Sequence, residues 1–305
     1  MDKQSRILIT GASGMVGSRL VEIMKKQGYV NLLTPSKNEM NLFNMEQVSQ
    51  WMYKVDYVIH LAALVGGIEM NMKYPVNLFA NNIRTTLNVM DCACFANVKK
   101  LLFMGSSCVY PVGYKYSLDE SYVMAGSPEY TNEGYALAKI SGMKLCGYYR
   151  HQYGSNFISI VPSNIYGKVS PEPIQKNHVI SALIKKILEA KKNKCESITL
   201  LGTGEAKREF IYVDDVCDAI LFMMENYDGI GHINIGTGQV ISIKELAEML
   251  MTIINYECEI IYDTKKPDGS MFKCMDVYKA SKLGWNAKTA LYDGLKKMYK
   301  DFISD

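Results

Sequence analysis

The 305-residue chain has little net charge, 34 Lys and Arg against 31 Asp and Glu. With no basic stripe along it, the sequence lacks the electrostatic footprint of a nucleic-acid or acidic-membrane binder. The one sizeable lysine cluster, Lys185 to Lys194, has the spacing of a solvated helix face and its frayed end. No stretch approaches the roughly 18 apolar residues of a membrane span. The N-terminal Met1–Arg6 runs straight into an apolar strand without signal-peptide anatomy. The eight cysteines include no Cys-x-x-Cys pair, and Cys92-x-Cys94 falls inside a helical stretch. Neither a disulfide framework nor a metal site is expected, and a reducing cytoplasmic location is. Internal repeats are absent too.

A 48% hydrophobic share makes this a globular chain, long enough for two lobes. Short apolar runs alternate with helix-period segments. The strand-like runs are Ile7–Ile9, Asp56–His60, Lys100–Met104 and Asn156–Val161, with helices expected at about 15–27, 77–96 and 133–153. Continuous apolar strands separated by helices predict βαβ units and a doubly wound parallel α/β sheet, with ligands beyond the strands' carboxyl ends. After about residue 165 the rhythm changes. A loop over 167–177, a helix at about 178–192 and a strand at Ile198–Leu200 follow. The stretch 210–238 reads strand–helix–strand and is expected to return to the first sheet. The pattern predicts a nucleotide lobe followed by a smaller C-terminal α/β lobe.

Gly11-Ala12-Ser13-Gly14-Met15-Val16-Gly17 follows the first strand and opens the first helix. Glycine at these places permits a tight turn, close backbone approach to a pyrophosphate, and packing of helix on strand. Unpaired N–H groups at the helix N-terminus then receive the anion. Many strand-to-helix turns need glycine, so the context, the first turn of a βαβαβ pattern, carries the weight. After the second strand the chain reads Thr34-Pro35-Ser36-Lys37, with no acid to accept from a ribose 2′-hydroxyl. Ser36 and Lys37 suit a 2′-phosphate, which favours NADP(H) over NAD. Lys37 alone would pass for an exposed loop lysine, so this choice rests mainly on the missing acid.

Tyr135-Ala136-Leu137-Ala138-Lys139 puts a phenol and an ammonium four apart, on one helical face. A phenol near pKa 10 exchanges protons poorly at neutrality unless a cation stabilises its phenolate, and lowering it by about three units takes roughly 4 kcal/mol. The spacing recurs at Tyr262/Lys266, Tyr278/Lys282 and Tyr292/Lys296. Only Tyr135 follows a serine-bearing strand end, Gly105-Ser106-Ser107-Cys108-Val109-Tyr110-Pro111.

The glycine motif, this serine and the Tyr-x-x-x-Lys pair resemble the extended short-chain dehydrogenase/reductase superfamily. More narrowly, Gly14–Ser18, Val65–Ile68, Gly105–Pro111, Thr131–Lys139, Asn177–Ile180, Arg208–Phe210, Val213–Asp215, Asn234–Gly238 and Lys266–Gly269 resemble GDP-L-fucose synthases. The resemblance spans essentially the whole chain. It implies NADPH-dependent reduction of the C4 ketone of a GDP-4-keto-6-deoxy sugar, with epimerisation at C3 and C5. Ser106 would hydrogen-bond the ketone oxygen, Tyr135 would protonate it, and Lys139 would hold the nicotinamide ribose and lower the pKa of Tyr135. Cys108 and His178 would move the protons at C3 and C5. Taken alone, each has an ordinary explanation: a strand-end cysteine is usually a small buried hydrophobe, and a lone histidine usually makes an unremarkable polar contact. His60, His151 and His232 lack such a context and read as structural.

The resemblance also implies a cofactor set of Gly11, Ser13, Gly14, Met15, Val16, Gly17, Ser36, Lys37, Leu61, Ala62, Ala63, Tyr135, Lys139, Pro162, Asn164, Ile165 and His178. For the GDP-sugar it implies Ser107, Lys186, Leu201, Arg208 and Asp268. The implied lobes are a Rossmann NADP domain over 1–166, with 210–238 returning to it, and a GDP-sugar lobe over 167–209 and 239–305. A homodimer through the helices at about 77–96 and 133–153 is implied as well. There are departures. Lys186 stands where the family usually has Arg, Leu201 where it has Trp, Gly134 where it has Pro, and the segment 112–130 differs. Lysine cannot make the bidentate fork of arginine, and leucine removes a stacking surface.

These departures keep a second enzyme in view, a C4 reductase of a GDP-4-keto-heptose or another GDP-deoxysugar with little or no epimerisation. Dehydratases of this fold follow the strand-end Ser or Thr with Asp-Glu, whereas Ser107-Cys108 offers no carboxylate. UDP-galactose-type 4-epimerases hold NAD, which the missing acid disfavours. A non-catalytic NADP-binding regulator would be expected to lose Ser106 or Tyr135.

Overall fold

The computed structural model describes residues 1–168, 179–266 and 268–304. His178 and most of the 167–177 loop therefore lie outside the described residues. The first half runs β1 (Ile7–Thr10), α1 (Met15–Lys26), β2 (Leu32–Leu33), α2 (Met45–Trp51), β3 (Tyr57–His60), α3 (Ile68–Lys73), α4 (Pro75–Phe95), β4 (Lys100–Met104), α5 (Glu133–Tyr153) and β5 (Phe157–Pro162). β1, β4 and β5 are buried at every residue. That is why their sequences are continuous apolar runs rather than alternating ones.

All strands of the main sheet are parallel, in the order β2, β1, β3, β4, β5 and finally the strand His232–Ile235. The chain leaves β1 toward β2 and returns to β3 on the other side. The switch point thus lies between β1 and β3, where a doubly wound sheet opens a crevice at its carboxyl edge. Of the 210–238 stretch, only His232–Ile235 lies in this sheet. Phe210–Tyr212 pairs instead with Asn164–Tyr166, a departure from the expected return. Apolar clusters cover both faces, one around Leu20, Ile184 and Ile220 and the other around Val89, Met143 and Tyr149.

The later elements include α6 (Val179–Asn193), α7 (Val213–Asn226) and α8 (Ile243–Ile254). α8 begins with a reciprocal cap in which Ser242 and Glu245 satisfy each other's backbone N–H groups. Ser197–Leu201 pairs in parallel with Glu259–Asp263. Lys207–Arg208 lies between Ile241–Ser242 and Phe272–Lys273. Among the described residues, no helix is long and apolar enough to cross a membrane.

Candidate active site

The first strand-to-helix turn is built around close backbone approach. Gly11 has φ +73°, and a Cβ there would stand 2.7 Å from the Ala62 nitrogen. A Cβ on Gly17 would stand 2.2 Å from the Gly11 carbonyl oxygen, so only glycine lets α1 settle this close to the turn. Gly14 caps α1 with extended backbone, and its N–H donates to Gly11 O at 3.0 Å. A cleft of about 600 Å³ opens above this turn. Gly11, Ser13, Ser36, Lys37, Ala62 and Ala63 are among its walls. Met15, Val16, Leu61 and Ile165 instead pack their side chains against the apolar core.

The cradle, with its glycines and helix N-terminus, fits a dinucleotide. One polar feature of the cleft was not expected. The Ser36 N–H and hydroxyl both donate to Glu39 Oε2, at 2.8 and 2.7 Å. Pro162 ends β5, paired with Ile235. Asn164 donates from Nδ2 to the Glu209 carbonyl at 2.7 Å.

At the end of β4 the chain enters a single tight turn, Ser107–Val109, which Ser106 caps by accepting from the Cys108 N–H at 3.5 Å. α5 seats on this strand through Gly142, where a Cβ would come within 2.3 Å of the Phe103 ring. The close approach brings Lys139 over Phe103, 4.8 Å from its ring centroid, and Lys139 Nζ donates to Met104 O at 2.7 Å. Nζ lies 5.7 Å from the Tyr135 ring centroid. Four of the five expected catalytic residues, Ser106, Cys108, Tyr135 and Lys139, are thus gathered at one strand end. The fifth, His178, is outside the described residues.

The electrostatics of this cluster follow from burial. Contrary to the expected lowering by Lys139, burial pushes the Tyr135 phenol well above its usual range; Cys108 adds to the rise and a hydrogen bond with Ser106 opposes it. Burial also raises the Cys108 thiol, against the pull of Ser106, Lys273 and Lys139. Lys139 is lowered to about 8, again chiefly by burial. Beneath it lies the fully buried His60, lowered to about 3 by burial and by the Lys139 charge. The ring is neutral at any working pH, with Nδ1 2.7 Å from Thr10 Oγ1. At neutrality the site therefore holds a protonated phenol, a protonated thiol and an ammonium, a set built to donate protons.

Of the residues expected to hold the sugar nucleotide, Leu201 and Arg208 lie in strands of the later half, Lys186 in α6, Asp268 in a loop, and Ser107 in the turn after β4. Arg208 is held by the carbonyls of Lys207, at 2.9 Å, and Asp268, at 3.5 Å. Asp268 accepts from the Thr203 N–H and hydroxyl at 2.7 and 2.9 Å, drawing its segment to the turn after Leu201. Lys186 donates to the Thr199 carbonyl. Leu201 is 64% exposed. Ser107 borders a small cavity of about 20 Å³ walled by Tyr114, Tyr116 and Lys273.

Glu129 and Lys273 had no signal in motif or spacing, whereas Glu209 sits inside the Arg208–Phe210 block that carries the resemblance. Glu129 pairs with Lys273 at 3.4 Å and raises the Arg208 guanidinium, against the lowering effect of burial. Since the Lys273 charge also reaches Cys108, it links the two groups of residues. Glu209 is 1% exposed and accepts from the N–H groups of Thr237, Gly238 and Met275 at 2.7, 3.0 and 2.8 Å. Burial raises its carboxyl and these bonds lower it. Three chain segments are thereby fastened next to Arg208. The described residues contain no cluster suited to a metal ion.

Comparison with known proteins adds an independent line. Residues 7–236 match the model of the NAD dependent epimerase/dehydratase family. GDP-L-fucose synthase 1 of Arabidopsis thaliana is 40% identical over 306 residues, covering 100% of this chain and 95% of the relative. GDP-L-fucose synthase of Escherichia coli K12 is 36% identical over 316 residues, 100% of this chain and 98% of that one. A solved structure of GDP-mannoheptose C4 reductase from Campylobacter jejuni, with NADP bound, superposes with a TM-score of 0.91 at 34% identity, covering 99% of each chain.

Proposed function

The chain belongs to the NAD dependent epimerase/dehydratase family, and from that premise we propose that it is an NADPH-dependent reductase of the C4 ketone of a GDP-4-keto-6-deoxy sugar that also epimerises C3 and C5, the activity of GDP-L-fucose synthases. The observation that carries this is the gathering of Ser106, Tyr135, Lys139 and Cys108 at the carboxyl end of β4, in a chain whose full-length relatives bear that name.

NADPH bound on the Gly11–Gly17 turn supplies the hydride that reduces C4. Tyr135, held protonated by burial, gives its proton to the ketone oxygen, and the Ser106 hydroxyl donates a hydrogen bond to the same atom. Lys139 favours the phenolate that results, by opposite charge. The same two donors stabilise the negative oxygen formed when a proton leaves C3 or C5, since both carbons adjoin the ketone. Cys108 as it stands can return a proton to carbon; to take one it must first lose its own. His178 is its partner in this proposal. Arg208 and Lys186 neutralise the diphosphate, Asp268 accepts from ribose or base, and Leu201 and Ser107 flank the sugar nucleotide. Pro162, Asn164 and Ile165 complete the cofactor's nicotinamide side.

We assign the cofactor to a lobe of residues 1–166 with 210–238, and the sugar nucleotide to 167–209 and 239–305. α4 and α5, with exposed Val76, Phe79 and Tyr148, are the proposed homodimer face. Eight thiols without a disulfide suit a cytoplasmic location.

A second substrate is favoured by particular observations. Leu201 offers no stacking ring, and the GDP-mannoheptose C4 reductase is 34% identical over 99% of the chain. The two are separated by following NADPH oxidation against GDP-4-keto-6-deoxymannose and GDP-4-keto-heptoses, with NMR of the products. Turnover of the hexose to a 3,5-epimerised product supports the first. Turnover of a heptose alone, without epimerisation, selects the second.

A further inference from the structure

The wall of the cofactor cleft that follows β2 carries a charge arrangement that motif reading passes over. Thr34–Lys37 and Met40–Phe43 line the cleft on either side of Glu39. Glu39 folds back on Ser36, and one of its oxygens accepts from both the Ser36 N–H and the Ser36 hydroxyl, at 2.8 and 2.7 Å. The Glu39 and Met40 N–H groups return bonds to the Ser36 carbonyl at 3.1 and 3.0 Å. The donors best suited to a 2′-phosphate therefore already hold an anion of this chain. Of the described residues lining the cleft, Lys37 is the one cation, and Glu39 follows it by two positions in the chain. A 2′-phosphate, bearing up to about two negative charges, would have to displace Glu39 or bind beside it. A free 2′-hydroxyl meets the reverse situation, a carboxylate able to accept its proton.

We propose that Glu39 is the specificity-determining residue of the cofactor cleft: an internal anion that competes with the 2′-phosphate of NADPH for the Ser36 donors and accepts the free 2′-hydroxyl of NADH. This rests on the dinucleotide assignment above and refines it, since the protein then uses NADPH with a restrained preference and retains NADH as a working substitute. The Ser36 bonds hold Glu39 ionised below the usual carboxylate range, so the restraint operates throughout the neutral range.

The test is fluorescence titration of NADPH and NADH into the wild-type protein, Glu39→Gln and Glu39→Ala, with circular dichroism to verify the fold. Glu39→Gln keeps an acceptor for Ser36 and removes the charge; Glu39→Ala frees both donors. NADPH is expected to bind about fivefold tighter to each variant, and NADH about fivefold weaker to Glu39→Ala. The NADPH/NADH ratio thus rises more than about tenfold in that variant. Folded variants whose ratio stays within about twofold of wild type would overturn the proposal and leave Glu39 as a turn cap. If the wild-type protein binds neither nucleotide, the dinucleotide assignment itself falls, a result distinct from an unchanged ratio.

Discussion

Lys139 donates from Nζ to the main-chain carbonyl of Met104 at 2.7 Å, a buried bond that fastens the N-terminal third of α5 to the last residue of β4. Tyr135, one turn earlier on the helix, is thereby fixed against Ser106, just beyond the strand. The ammonium is both a strut and an electrostatic partner, and the two functions separate in titration.

Lys139 lies at about 8, below its ordinary 10.5, because burial penalises the charged form. The ammonium is present below that pH and lost above it. The kcat for ketone reduction is therefore expected to be flat near neutrality and to fall as pH rises through about 8. Lys139→Met should lower kcat throughout and remove the alkaline limb. Tyr135→Phe should lower kcat by about 10²–10⁴-fold while NADPH binding persists, as read by fluorescence titration.

Cys108 is 7% exposed and its thiol is raised by burial. In heavy water, wild type should place deuterium at C3 and C5 of the sugar, as read by NMR. Cys108→Ser should stop that exchange yet still reduce a substrate already epimerised. Wild type that exchanges nothing is a plain C4 reductase.

Arg208 stands between Asp268 and Glu129, with burial working against its charge. Losing its charge-assisted bonds to a diphosphate should raise KM for the GDP-sugar about 10–100-fold in Arg208→Ala, leaving KM for NADPH within about twofold. Equal rises in both constants would place Arg208 outside the sugar-nucleotide site.

Glu209→Gln replaces a buried acceptor of three N–H groups with an amide whose NH₂ opposes them. A loss of about 1–3 kcal/mol is expected from the shift in urea midpoint. The loss has a particular cause, because Gly236 leaves no room for a shifted side chain: a Cβ there would stand 2.0 Å from Glu209 Oε1.

Much of this was legible in residue order. The main-sheet strands are apolar runs because the sheet is covered on both faces, and α1 and α5 begin at the expected residues, Met15 and Glu133. Gly11, Gly17, Ser106, Tyr135 and Lys139 were marked by motif, since backbone proximity and one-turn spacing leave local traces. Side-chain bonds formed by folding leave none. Lys273 and Glu129 are 144 residues apart. Glu39 lies three residues past Ser36, beyond the strand end where an acid is normally sought. Phe210–Tyr212 has the composition of a main-sheet strand but pairs with Asn164–Tyr166, a choice of partner that apolar content cannot encode. Met15 and Val16 belong to the glycine motif, yet their partly buried side chains also pack against the core under α1.

The central claim is that a hydride from the cofactor reaches C4 of a GDP-linked keto sugar. The most direct measurement supplies NADPH carrying deuterium at both nicotinamide C4 positions and follows the product by proton NMR. Loss of the sugar H4 signal, matched one for one by cofactor oxidised, is the predicted result. A product that keeps protium at C4 while NADPH is consumed, or no consumption with any GDP-4-keto sugar, would contradict it.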